Sequence, residues 1–266
     1  MWYRFFAYIK HCLTAWNTGG EGIHSPYLFY LVRMLFYDEN RYYCFKDIEY
    51  RRSCMLRAPK KVYVEDLGTG KSEDRLVSDI AATSLESPKI GQLLFRIVSF
   101  LGHDEQRPLT VVELGTSLGI TTAYLAAPDS RNIVTSFEGA AELVEMAKLN
   151  ASKLHLSNIR WMEGNIDEEL PKYITGAHAR EEKLDLVFID ANHTYEATMR
   201  YFKELLSLVR EKTIIAIDDI HYSPEMNKAW REIQTLPEVT TTIDLFHIGL
   251  VFFDKHYINR HYKLKI

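Results

Sequence analysis

From Pro108 onward, short apolar runs alternate with amphipathic stretches in a regular order. Runs rich in β-branched residues occur at Leu109–Gly115 (LTVVELG), Asn132–Gly139 (NIVTSFEG), Asn158–Asn165 (NIRWMEGN), Leu184–Ala191 (LDLVFIDA) and Thr213–Asp219 (TIIAIDD), and each reads as a strand. Between them, apolar residues at helical spacing predict helices at Ile120–Ala127, Ala140–Leu154, near Glu168–Ile174, and at Tyr195–Val209. Strand–helix units in such succession imply a parallel sheet with helices on both faces. The stretch Thr240–Phe253 adds two β-rich runs joined tightly around His247–Gly249, a hairpin that would set the last strand antiparallel to its neighbour.

Residues 1–100 have a different texture and are predicted to be mostly helical. Trp2, Phe5, Phe6, Ile9, Leu13 and Trp16 share one face of a first helix. NTGGEG (Asn17–Gly22) ends it, Pro26 begins a second through about Phe36, and RYYCFKDIEYRRSCML suggests a third. The expected architecture is therefore α/β. Residues 101–266 form a Rossmann-like, mostly parallel seven-stranded sheet with a C-terminal antiparallel hairpin, and residues 1–100 a helical N-terminal extension or cap.

Composition narrows this only a little. At 266 residues, 47% hydrophobic and 26% charged, the chain suits a soluble protein with one large α/β domain or a core with an appendage. Residues 1–61 carry ten Lys and Arg against five Asp and Glu, the remainder 22 against 31. No basic run is dense enough for a nucleic-acid patch. Cys12, Cys44 and Cys54 lack zinc or CxxC spacing, which favours reduced thiols and a cytoplasmic location. Arg4 and Lys10 interrupt the apolar N-terminus, and no apolar span of about 18 residues follows, so no transmembrane segment is expected. The aromatic helix is expected to pack against the body or to make a homodimer, membrane-surface binding being the alternative.

Two glycine-rich turns compete as a nucleotide site. VYVEDLGTGKS (Val62–Ser72) ends like a phosphate-binding loop, but that loop needs glycine at position 65, where Glu65 stands. SEDRLVSDIAATS after it reads as a helix, and no strand ending in an acid follows. VVELGTSLG (Val111–Gly119) passes the same test, because helix ITTAYLAA leads to a strand ending in Glu138, 25 residues beyond Glu113. Gly115 and Gly119 let the backbone pass close to a ligand, amides at the helix start can meet a carboxylate, and Glu138 can accept both ribose hydroxyls.

With this loop the chain resembles the class I S-adenosylmethionine-dependent methyltransferases, whose first motif is an acid, an apolar residue and Gly-x-Gly-x-Gly; the sheet closed by a hairpin agrees. ELGTSLG has Ser117 at the middle position, which is similar to the catechol and caffeoyl-CoA O-methyltransferase group. MEGN resembles the adenine-contacting turn. The resemblance implies that Glu113, Gly115, Thr116, Ser117, Gly119, Glu138, Gly139, Asn165, Ile166 and Asp190 hold S-adenosylmethionine.

FIDANHTYE and AIDDIHYS place Asp190 and the pair Asp218–Asp219 at strand ends. Carboxylates gathered there would repel one another unless protonated, hydrogen-bonded or holding a hard cation such as Mg²⁺. The metal-dependent O-methyltransferases have an Asp and an Asp-Asn pair in these places. A related sugar- and antibiotic-tailoring group has IDG-x-H-x-Y and DD, to which IDANHTY and DD are similar. The resemblance thus implies a divalent cation, expected to be Mg²⁺, on Asp190, Asp218 and Asp219, and methylation of a small-molecule hydroxyl. Asp190 and His193 are the expected catalytic residues, with His221 a second candidate for the proton. His24 and Tyr27 are candidate substrate contacts in a lid. DANH stands where base-methylating enzymes carry [DNS]-P-P-[YFW], so a nucleic-acid substrate is not expected. An RNA methyltransferase of the same fold and a non-catalytic binding protein retaining it stay open as alternatives. A nicotinamide dehydrogenase is disfavoured by the missing G-x-G-x-x-G.

Overall fold

The computed structural model of the chain describes residues 2–15, 22–23, 25–38, 40, 42–65, 72–257 and 260–265. Trp16, His24 and residues 66–71 of the first glycine stretch, Lys71 included, lie outside the described residues. The chain divides into two compact units, Met1–Asp38 with Gly176–Ile266, and Glu39–Thr175. Among the described residues, eight strands make up the main, mostly parallel sheet.

The first unit opens with α1 (Trp2–Thr14) and α2 (Pro26–Tyr37). Ser25 caps α2 by accepting the Leu28 N–H, and Pro26 occupies the first turn, where a missing N–H is harmless. The aromatic face of α1 is not packed against the unit. Trp2 is 76% and Leu13 81% exposed, Phe5, Phe6 and Ile9 are exposed as well, and His11 is the residue that is buried. The polar side has found fixed partners within the unit: Arg4 donates to Asp219 at 2.9 Å and His11 Nε2 lies 3.1 Å from the Leu264 carbonyl.

The second unit comprises α3 (Tyr43–Met55), β1 (Lys61–Val64), β2 (Glu73–Leu76), α4 (Val77–Ser84), α5 (Pro88–Glu105), β3 (Thr110–Leu114), α6 (Ile120–Ala126), β4 (Ile133–Glu138), α7 (Ala141–Lys153) and β5 (Ile159–Glu163). Strands β3, β4 and β5 pair in parallel, with Glu113 opposite Ser136 and Ser136 opposite Trp161. β1 and β2 pair antiparallel in a ribbon of their own, Lys61 opposite Leu76. Glu73–Leu76, expected to start a helix, is a strand of this ribbon. The ribbon is not idle packing. Val62 is buried with Leu118, Ala140, Leu143 and Met146, a burial that stabilises by about 1.5–3 kcal/mol per large apolar side chain. The Tyr63 N–H also donates to Glu142 at 3.0 Å, and Arg75 donates to Thr83.

After α8 (Ile166–Ala179), the first unit resumes with β6 (Leu186–Ile189), α9 (Tyr195–Leu205), β7 (Ile214–Asp218), α10 (Pro224–Ile233), β8 (Thr241–Asp244), β9 (Ile248–Phe252) and β10 (Arg260–Lys263). β6 and β7 are parallel, β9 is antiparallel to β7 and to β8, and β10 lies parallel to β8 at the edge. All residues of β6, β7 and β9 are buried, as expected of strands covered on both faces. The predicted hairpin is present. The eighth strand, β10, is short and polar (RHYK), so no apolar run announces it.

Candidate functional site: a glycine turn and strand-end carboxylates

In the second unit, β3 ends in a turn with φ of 101° at Gly115, 49° at Ser117 and 74° at Gly119, where α6 begins. Left-handed backbone is free of steric cost only for glycine, which explains the residues at 115 and 119. The turn is fastened to β4: the N–H groups of Gly115 and Thr116 both reach the Phe137 carbonyl at 3.0 Å. Glu113, fully buried, accepts from Thr122 Oγ1 and Ser136 Oγ at 2.5 Å each, tying the start of α6 to β4. Thr116 Oγ1 lies 2.5 Å from Ser136 Oγ and donates to the Phe137 carbonyl.

Glu138 closes the arrangement. Its Oε2 accepts the Ser117 N–H at 2.8 Å and its Oε1 the Ala140 N–H at 3.0 Å, so both oxygens are fixed in direction. A carboxylate has about four lone-pair sites, which leaves acceptor capacity for a vicinal diol. Gly139 follows, partly buried. Ser117 Oγ is buried and has no hydrogen-bond partner among the described residues, a polar atom available to a bound group. The turn after β5 is built on Gly164 (φ 133°), whose N–H donates to the Glu138 carbonyl at 3.0 Å. Asn165 Oδ1 then accepts the Asp167 N–H at 3.0 Å, capping α8 at the buried Ile166.

In the first unit, Asp190 follows β6 and Asp218 ends β7. Together with His193 they offer ligand atoms that all lie within 4.8 Å of one another. His193 Nε2 is 3.3 Å from Asp190 Oδ1, and Asp218 is 4% exposed. The chain reaches this geometry through two left-handed residues, Asn192 (φ 62°) and His193 (φ 36°). Thr194, not His193, caps α9 by accepting the Ala197 N–H at 3.3 Å. Burial pushes the Asp190 carboxyl above the usual carboxylate range, opposed by His193 and reinforced by the charge of Asp219.

The expected metal trio is thus only partly gathered. Asp219, left-handed at φ 51°, accepts from Arg4, and it is His193 that joins Asp190 and Asp218. His221 is elsewhere, 2.9 Å from Asp244 and 2.7 Å from the Asn227 amide. Sequence reasoning missed Thr122 and Ser136, whose hydroxyls hold Glu113, and Arg4. Nothing in the spacing of these residues singles them out.

Residues 112–220 match the protein family described as "Methyltransferase domain". No curated protein matches the sequence. Solved structures do match. An O-methyltransferase from Bacillus cereus in complex with SAH is 18% identical, over 81% of this chain and 93% of that one, with a TM-score of 0.55. TomG from Streptomyces achromogenes, an O-methyltransferase involved in tomaymycin synthesis and solved with SAM, is 17% identical over 64% and 82%, with a TM-score of 0.55. The SAH-bound methyltransferase PaMTH1 of Podospora anserina is 13% identical over 87% and 97%, with a TM-score of 0.58. At such identities the likeness is one of fold. It coincides with the family match, the glycine turn and the terminal hairpin: residues 112–220 are similar to a methyltransferase domain, and the chain has the fold of these solved structures.

Proposed function

We propose that the protein is an S-adenosylmethionine-dependent O-methyltransferase acting on a small-molecule hydroxyl, assisted by a divalent cation. The observation that carries the reading is the turn Gly115–Gly119 with Glu138 fixed beside it by the amides of Ser117 and Ala140. A sulfonium nucleoside offers a ribose diol to Glu138, and the unpartnered Ser117 Oγ is a further polar contact. Asn165 and Ile166, at the start of α8, are the proposed adenine contacts. S-adenosylmethionine supplies an electrophilic methyl group. What this chain adds is fixed position, which in well-oriented reactions replaces about 7–11 kcal/mol of barrier.

Asp190, Asp218 and His193 fit a divalent ion by donor chemistry, two carboxylates and one imidazole. That set moves the preference from Mg²⁺ towards Mn²⁺ or another ion that tolerates nitrogen. When bound there, such an ion lowers the pKa of a substrate hydroxyl. In the ion's absence Asp190 would hold the His193 ring through the 3.3 Å contact and the pair could accept the hydroxyl proton; with His193 ligating the ion, the proton would leave to solvent.

Calorimetry with S-adenosylmethionine and with NAD tests the cofactor; heat from NAD alone, or from neither, would overturn the reading. Methyl transfer to a panel of hydroxylated small molecules, with and without chelator, tests the metal. Turnover should fall with chelator and in Asp218→Asn while nucleoside binding persists. Full turnover in chelator rejects the ion.

A further inference from the structure

A second cluster stands apart in composition from the strand-end carboxylates: His11 of α1, His221 before α10 and Asp244 at the end of β8. Their candidate ligand atoms lie within 4.8 Å of one another. All are enclosed, with side chains 5%, 12% and 1% exposed respectively. Each ring is held from behind. His11 Nε2 lies 3.1 Å from the Leu264 carbonyl, which can only accept, so Nε2 carries the proton and the neutral ring turns a lone pair on Nδ1 inward. That Nδ1 is 3.3 Å from Asp244 Oδ1, yet it makes no hydrogen bond to it and has no other partner among the described residues. His221 Nε2 is 2.9 Å from Asp244 Oδ2, while its Nδ1 meets the Asn227 amide at 2.7 Å. That amide can turn over in place and present its oxygen, which moves the proton to Nδ1 and frees Nε2 to ligate. Asp244 Oδ1 is held by the Phe246 N–H at 2.9 Å, and the Phe246 ring lies against both imidazoles.

Three donor atoms thus converge in an enclosed place, each side chain fixed from behind, which is the arrangement a divalent cation needs. We propose that His11, His221 and Asp244 form a transition-metal site of the zinc class, with two imidazoles and one carboxylate as ligands and outer hydrogen bonds fixing each ring. A fourth position faces a cavity of about 290 Å³ that these residues line together with Lys10, Asn227, Arg231 and Lys263. The cationic side chains favour an anionic fourth ligand, hydroxide or a carboxylate. The site does not depend on the methyl-transfer reading, since none of its residues belongs to the glycine turn or to the Asp190 cluster.

The full chain, stripped with chelator, is titrated with Zn²⁺ by calorimetry and with Co²⁺ by visible absorption. In an Asp218→Asn background, which removes a ligand of the other cluster, one tight equivalent is expected that weakens roughly a hundredfold or more when His11→Gln or His221→Gln is added, on the scale that disrupting a metal's ligand shell costs. Far-UV circular dichroism of the metal-free variants reports whether they fold. Ring-nitrogen NMR of the wild type keeps the test decisive if they do not, because His11 Nδ1 and His221 Nε2 should shift when Zn²⁺ is added. The site is overturned if the Asp218→Asn protein binds no ion, if binding in that background survives both histidine variants, or if those ring nitrogens stay unmoved.

Discussion

Alanine at position 119 asks for two things the turn does not provide. The backbone there has φ of 74°, and an added Cβ would lie 2.8 Å from the Ala147 Cβ and 3.0 Å from its Cα. The first costs about 1–2 kcal/mol for an L-residue in left-handed conformation. The second involves α7 itself, not the end of a flexible side chain, and overpacking of this kind costs about 1–3 kcal/mol. The loss of unfolded-state freedom returns about 0.4–1 kcal/mol, so Gly119→Ala should destabilise by about 2–4 kcal/mol. Gly102, in α5, is the control: its nearest neighbour would be 3.9 Å away and its backbone is helical, so Gly102→Ala should be neutral or stabilise by up to about 1 kcal/mol. Urea unfolding of the three proteins measures both shifts from the midpoints and slopes. If Gly119→Ala moves stability no more than Gly102→Ala does, the turn is not as tightly seated against α7 as this geometry requires.

Two other outcomes follow from the same structure. Glu138→Gln keeps the shape but loses the charge, and S-adenosylmethionine should bind roughly ten- to a hundredfold more weakly, the range for a hydrogen bond to a charged group; unchanged affinity by calorimetry would remove Glu138 from the nucleoside site. Burial pushes the Cys44 thiol up to about 11, so at pH 8 it should resist alkylation in the folded protein and react once denaturant is added, which peptide mass spectrometry follows. Because its folded pKa is raised, its contribution to stability is complete below the unfolded thiol's value of about 8.5 and is lost as pH rises towards 11.

The parts of this protein that could be read from sequence are those whose cause is local. Strands β3, β6 and β7 are continuous apolar runs because both faces are covered, and the glycines at 115 and 119 are where left-handed backbone is needed. Glu65 and the missing ribose acid already told against the first glycine stretch, and the residues that flank it, Lys61–Val64 and Glu73–Leu76, pair as two strands. What could not be read depends on partners distant in sequence. β10 is a polar tetrad that becomes a strand only because β8 offers an edge. The aromatic stripe of α1 is a stronger periodic signal than Arg4 and His11, yet those two polar residues decide which side of the helix faces the protein. Asp219 looks equivalent to Asp218 in the sequence, but Asp218 is the buried end of β7 while Asp219 is left-handed and accepts from Arg4.

The anchoring of α1 also has a consequence for the order of events on the ribosome. Its partners Asp219 and Leu264 lie 215 and 253 residues downstream. At about 5–20 residues per second, α1 waits roughly ten seconds to a minute before the chain that seats it exists. Until then Arg4 and His11 have neither anchor, so a truncation that removes Leu264 should be felt at α1.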